Sequence, residues 1–394
     1  MYRWTAWAAV RSYWNKNELC IIHEKDNIMT AFHPPESDSW SDQGIILQHK
    51  ELELQSFTTC AEPLGDNCWR VWYSSRHHGK GPEEFNIGFA EGKLGKAMSL
   101  FPAQLSCGKA HHAEFAIGNL PDGWRPRQPI HISMPDGSHR LYFWAHGPDV
   151  VRFLCAFSSD GHRYEVIDPL RPCLYHYNDR AVIPKWFGAA GLTIGKRNSA
   201  KPSEEPEADP EKLCNDATNL YLLPDGSFEL YTAVILPVAK DSNRYISHDN
   251  AAGWFRVIER RTSADGLSWS KGVRVMEPTQ DDPPWIQFYY LAVTSTPEGK
   301  VGQLGYYDVK KQTMDIEWCF SSDGLKWQRP YPGAWFPRSQ ELLGVYAPHS
   351  LVFHGRQWHL FYTGCNYNHN RTVCTGSHPV SDIRLATIAS PITL

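Results

Sequence analysis

The chain has 394 residues, 13% of them aromatic with 16 tryptophans, and a formal net charge of −4. That balance gives no basic field for a phosphate backbone, which argues against nucleic acid as a partner. No stretch reaches the roughly 18–20 uncharged apolar residues of a membrane helix, and Arg11 and Lys16 break the apolar start before it can serve as a signal core. The chain therefore reads as soluble and cytoplasmic, with no membrane partner.

Residues 1–44 hold two strand-like pieces, 20–23 and 28–32, ahead of a repeat. Five times an apolar run breaks at a tight glycine turn and an aromatic-rich run follows: 58–73 around Gly65, 130–144 around Gly137, 220–232 around Gly226, 291–307 around Gly299, and 351–362 around Gly355. A second turn, Ser-x-Asp-Gly, follows three of these hairpins at Ser158-Ser159-Asp160-Gly161, Ser263-Ala264-Asp265-Gly266 and Ser321-Ser322-Asp323-Gly324. A hairpin plus a further turn makes a four-stranded unit, and repeated units of this kind build a propeller. The expected fold is all-β, a single-domain five-bladed β-propeller with blades at about 45–100, 124–168, 213–277, 282–335 and 342–390. Residues 1–44 are expected to close the ring by packing against blade five.

Asp and Ser of the Ser-x-Asp-Gly element are suited to bonding the turn's own backbone, so Asp160, Asp265 and Asp323 read as structural. The widest gap between turn glycines holds two loops, 169–186 and the charged 196–211, and a third long loop spans 238–254. Long loops on a rigid scaffold commonly build the binding face. The ten cysteines form no Cys-x-x-Cys pair and no Cys/His spacing of structural zinc. Several fall in expected strands, and Cys60 and Cys155 read as buried free thiols.

The first strand of each propeller blade lines the central channel. The expected inner strands, 55–62, 128–134, 216–223, 286–293 and 346–353, are polar where they begin. Arg127 and Gln128 open blade two, which carries His131; Asp216 opens blade three, which carries Asn219. Asp282 precedes blade four with Gln287 and Tyr289, and Glu341 precedes blade five with Tyr346 and His349. Further histidines lie in the connecting loops, His111, His112 and His176 among them, with Glu114 and Asp179 nearby, and His369 lies in blade five. Such residues bind sugars by hydrogen bonds or exchange protons near neutral pH. No His-x-His or His-x-x-x-His run points to a metal, and no cofactor is expected.

The five hairpins, the Ser-x-Asp-Gly-x-x-Trp turns and the run from Arg256-Val257-Ile258-Glu259 through Gln287-Phe288-Tyr289-Tyr290 to Glu317-Trp318-Cys319-Phe320 resemble the five-bladed β-propeller glycoside hydrolases. That group contains invertases, levanases, arabinanases and β-xylosidases. The resemblance implies an acidic residue on each of three consecutive inner strands: a nucleophile or base, a helper, and a proton donor. Asn215-Asp216 matches the family's Asn-Asp start, without the following Pro. Arg127-Gln128-Pro129 matches its Arg-Asp-Pro with the acid replaced by an amide, and no Glu-Cys donor motif is present. Gln128 cannot titrate. Either the catalytic acids are Asp216, Asp282 and Glu341 on blades three to five, or hydrolysis is not the activity.

The leading expectation is a glycoside hydrolase for a small oligosaccharide or a non-reducing chain end. Its sugar-binding set would be Arg127, Gln128, His131, His176, Asn219, Gln287, Tyr289, Tyr346 and His349. A carbohydrate-binding propeller without turnover, and a propeller enzyme with non-hydrolytic acid–base chemistry, stay open beside it.

Overall fold

The structure, a computed structural model, describes residues 11–15, 18–22, 29–32, 40–55, 61–77, 80, 84–106, 114–182, 208–297, 299–330, 332–333, 336 and 338–389. His111, His112, Cys60 and most of the 196–211 loop lie outside that set. Among the described residues there is no α-helix; the chain runs as successive antiparallel meanders.

In the first meander Leu52–Gln55 and Ala61–Gly65 both pair with Cys68–His77, and Asn86–Lys93 and Ser99–Pro102 follow. The second runs Arg125–Ser133, His139–His146, Val151–Ser158 and Arg163–Val166, with Gln104–Leu105 and Ala116–Gly118 added in parallel at its outer edge. Thr218–Leu222, Phe228–Pro237, Trp254–Ser263 and Val273–Met276 make the third. In the fourth, Ile286–Thr296, Gly299–Asp308 and Thr313–Ser321 pair in order, and isolated bridges at Gln328 and Phe336 supply its outer edge. The last is made by Gly344–Tyr346 and Val352–His354 on Gln357–Cys365, then Ser381–Ala389 and, from the other end of the chain, Ser41–Leu47. The first meander thus begins at Leu52, seven residues or so beyond the expected start at 45, because residues 41–47 belong to the last one. Strands Arg11–Asn15, Glu18–Ile22 and Met29–Phe32 form a separate small sheet.

Packing between meanders is sequential and then returns. Trp72 and Phe89 of the first share a core with Leu141 and Phe143 of the second. Trp144 and Phe153 meet Leu230 and Val257 of the third, and Tyr231 and Ile258 meet Phe288 and Tyr290 of the fourth. Trp318 and Ile316 then meet Trp358 and Tyr362 of the last, while Phe361 and Leu385 of the last join Trp69 and Val71 of the first. Strands covered on both faces need apolar residues at consecutive positions rather than alternate ones, which is why the aromatic content is high.

The Ser-x-Asp-Gly turns are built alike. In the last of them, Leu325 and Lys326 N–H donate to Asp323 Oδ1 at 2.8 and 2.9 Å, and Gly324 N–H donates to Ser321 Oγ at 2.8 Å. Gly324 sits at φ +74, and a Cβ there would lie 2.5 Å from Tyr231 Oη in the preceding meander, so the turn requires glycine for conformation and for space. Asp323→Ala should therefore cost about 0.5–1.5 kcal/mol of stability by removing the two bonds from Leu325 and Lys326, with the rate per folded molecule unchanged. Denaturant titration and an active-site-normalised rate check both halves.

Of the cysteines, Cys68, Cys155, Cys173, Cys214, Cys319, Cys365 and Cys374 are free thiols, and Cys155 is buried.

Candidate active site

Two first strands and the segment after a third meet: Pro129–Ile132, Asn219–Leu222 and, beyond Gly344–Tyr346, Pro348–His349 line a single cavity of about 180 Å³. Its His349 ring is neutral, pushed down to about 4 by burial. His131 also lines it, but that ring stacks on Trp72, with centroids 5.0 Å apart, and pairs with Glu62. Asn219 is committed by its amide to Leu291 O at 3.0 Å.

Where the inner strands begin, a second group gathers. Asp216 and Arg127 act electrostatically on each other, and both act on His176 and on Tyr289. Each is positioned for a local reason. Asn215 Oδ1 accepts from Ala217 N–H at 3.2 Å and Asp216 O accepts from Thr218 N–H at 3.0 Å, a turn that sets Asp216 just ahead of its strand. Arg127 precedes a bulge, where pairing with the neighbouring strand shifts between Arg127 and Ile130. Its guanidinium lies 4.0 Å from the Phe85 ring centroid. Gln128 absorbs the bulge with φ +58, and its N–H donates to Ser74 Oγ at 2.8 Å. That conformation is costly for a non-glycine residue and concentrates at functional sites. Both atoms of the Gln128 side-chain amide are buried without a hydrogen-bond partner among the described residues.

His176 Nδ1 accepts from Asn178 N–H at 3.0 Å, and burial disfavours the charged ring. A neutral imidazole that accepts at Nδ1 carries its proton on Nε2, and Nε2 has no partner among the described residues.

Carboxylates around this group divide sharply. Glu53 is gripped by Arg76 at 2.8 Å and by both terminal nitrogens of Arg371. Burial opposes its ionisation, but bonds and charge from Arg371 and then Arg76 outweigh it and hold the carboxyl below its ordinary value. Asp249, from the 238–254 loop, is bound by Arg256 at 3.2 Å and accepts from Tyr307 Oη at 3.0 Å. Burial again opposes ionisation, and Arg256 overcomes it. Asp216 differs: it is partly exposed, and its carboxylate makes no hydrogen bond or ion pair among the described residues. Arg127 likewise has no carboxylate within ion-pair distance among them.

Around the rim, His369 lies between Tyr346 Oη at 3.1 Å and the Asn250 amide at 3.3 Å, and its centroid is 4.9 Å from Tyr289. Burial, with Arg256 nearby, pushes its ring down to about 4, so it is neutral at physiological pH. Gln287 stands behind the site, accepting from Arg256 Nη1 at 2.6 Å and donating to Trp254 O at 3.1 Å.

Two expected acids do not join this group. Asp282 is clasped by Arg329 at 2.6 and 2.7 Å and accepts from Thr279 N–H at 2.9 Å, in a network with Glu317 at the edge of the fourth meander. Glu341 is 64% exposed at its side chain and pairs with Arg384 at 3.1 Å, next to Asp382. Both are claimed by arginines, and preceding a strand in sequence does not decide which arginine claims a carboxylate. Conversely, Glu53, Asp249, Arg256 and Arg371 belong to the rim and were not expected there. The 238–254 loop carries the one available sequence signal, its length.

No protein-family model matches the sequence, and no curated protein sequence matches it. Solved structures do. A glycoside hydrolase superposes with a TM-score of 0.56 at 12% identity, over 89% of this chain and 92% of its own. A thermostable family-43 glycoside hydrolase gives 0.51 at 12%, over 87% and 96%. An N-acetylgalactosamine deacetylase from F. plautii, in complex with blood group B trisaccharide, gives 0.50 at 12%, over 90% and 94%. The chain thus shares the all-β fold of propeller-type glycoside hydrolases.

Proposed function

We propose that the protein is a glycoside hydrolase for a small oligosaccharide or a non-reducing chain end, built as five blades around one channel, with Asp216 as its nucleophile or base. The observation that carries this reading is the isolation of Asp216: every other carboxylate named at the rim is neutralised by arginine, while Asp216 is partly exposed and makes no side-chain bond among the described residues. A carboxylate without a fixed partner is free to attack an anomeric carbon or to take a proton from water. Tyr289 stays protonated, since burial raises its pKa, and can hold a sugar hydroxyl. The five blades are supported by the sequential cores and by their return from the last meander to the first.

Two-carboxylate cleavage places the pair about 5–5.5 Å apart for retention or roughly 6.5–9.5 Å for inversion. Among the described residues no second unpaired carboxylate accompanies Asp216, so none stands ready to protonate the leaving oxygen. Aryl glycosides, whose leaving groups need little protonation, should accordingly be cleaved much faster than alkyl glycosides, by about 10²–10⁴-fold, the usual worth of a general acid. A panel of aryl glycosides and short oligosaccharides with product analysis tests the reading. Sugar binding with no turnover of any member would replace it with a carbohydrate-binding propeller, which the Gln128 amide and the missing second acid favour.

A further inference from the structure

Among the described residues Arg127 has no carboxylate within ion-pair distance. Burial works against its protonated form, Asp216 is the nearest opposing charge, and Arg76 and Arg371 add repulsion. Both of those arginines spend their charge on Glu53. Taken together, three guanidinium groups, Arg76, Arg127 and Arg371, stand against two carboxylates, Glu53 and Asp216. Asp249 and Arg256 cancel each other nearby.

A half-buried cation with no anion at ion-pair distance is costly, and such groups are normally matched by a fixed anion. Here the protein supplies none among its described residues, yet it fixes the guanidinium against Phe85 at 4.0 Å. Beside Arg127, His176 offers an unpartnered Nε2–H from a side chain that is only 5% exposed. Arg127 pairs with Trp144 across the strands, and the His176 ring lies 5.6 Å from the Trp144 ring, so a planar cation and a neutral N–H donor flank the same residue, a combination that matches a carboxylate.

We infer that the site accepts an acidic sugar, a uronic acid residue whose carboxylate is bound by Arg127 and His176 while its anomeric carbon lies toward Asp216. This rests on the glycoside-hydrolase reading for the placement of the anomeric carbon, but not for the binding of the carboxylate. The uronate supplies Arg127 with an anion at ion-pair distance, which the described residues do not.

Calorimetric titration of the full chain with methyl β-glucuronide and methyl α-galacturonide, against methyl glucoside and methyl galactoside, tests the inference without requiring cleavage. At least one uronide should bind about 10–100-fold tighter than its neutral parent, the worth of a charge-assisted bond. Arg127→Met should erase that preference, and Arg127→Lys should keep part of it. Should the variants not fold, the wild-type protein still decides: uronide affinity should fall with added sodium chloride while neutral-sugar affinity does not.

Equal binding of neutral and acidic glycosides, no binding of either uronide, or a preference that survives Arg127→Met would each overturn the inference. So would acceleration of neutral-glycoside cleavage by inorganic phosphate with a sugar phosphate as product, which would assign the charge of Arg127 to a co-substrate. A uronide that binds through Arg127 and is never cut would uphold this subsite and remove the hydrolase reading. A neutral glycoside cut with no uronide preference would do the reverse.

Discussion

Asp216→Asn should abolish most turnover, by about 10³–10⁵-fold in kcat, while sugar binding persists within a few-fold. The substitution keeps the shape of the side chain and removes its charge and its basicity. Those properties are used in the transition state rather than in ground-state binding, so the loss falls on kcat and not on affinity. Folding should be unaffected, because the carboxylate makes no bond among the described residues whose removal would leave a partner stranded. Calorimetric titration of a non-cleaved sugar alongside steady-state rates separates the two effects. Unchanged kcat would mean that Asp216 is not the reacting group.

Glu53→Gln should have the opposite profile, a large loss of stability. Glu53 is buried and joins Arg76 of the first meander to Arg371, which follows the third strand of the last. Removing one charge from such a group leaves guanidinium groups buried without compensation, a cost of about 3–5 kcal/mol. A denaturant midpoint that falls with an unchanged slope would report it. The pH dependence supplies an independent check. The folded pKa of Glu53 lies below its ordinary 4.5, so its stabilisation is complete above that value and is lost as pH falls through the folded one. The stability gap between wild type and Glu53→Gln should therefore be widest near neutrality and narrow progressively below pH 4.5. A gap independent of pH would show that shape rather than charge is responsible.

What the sequence makes legible is local. Ser321-Ser322-Asp323-Gly324 states its own turn, since the bonds it makes span two or three residues. Asp216 is legible because Asn215-Asp216 sets up its strand entry within four residues. Charge pairing is not legible in this way. Arg329 reaches Asp282 across 47 positions and Arg384 reaches Glu341 across 43, and no local pattern says which carboxylates an arginine will claim. Glu53 is hidden for a similar reason: Leu52-Glu53-Leu54 alternates like a strand with one wetted face, yet its partner Arg371 comes 318 residues later. His369 and Asn250 lie 119 positions apart and meet only once the meanders are assembled. The first meander's true start is concealed by the same non-locality, since Ser41–Leu47 finds its partner in Ser381–Ala389.

Gln128 is the instructive departure. Read along the chain it looks like a lost acid. In the fold it is a buried amide at φ +58 that shapes the bulge presenting Arg127. The local rule is broken at the rim of the site, where strain and unpaired polar atoms are most often tolerated.

The decisive measurement is a crystal structure of Asp216→Asn soaked with a sugar shown by titration to bind. The terminal ring should lie at the mouth of the channel with its anomeric carbon about 3–3.5 Å from the side chain at position 216, the separation of a reactive pair. It should also touch Arg127, His176 and Tyr289. A sugar bound only in the deeper cavity between Ile130, Leu220 and His349, or on the outer surface away from residue 216, would contradict the account.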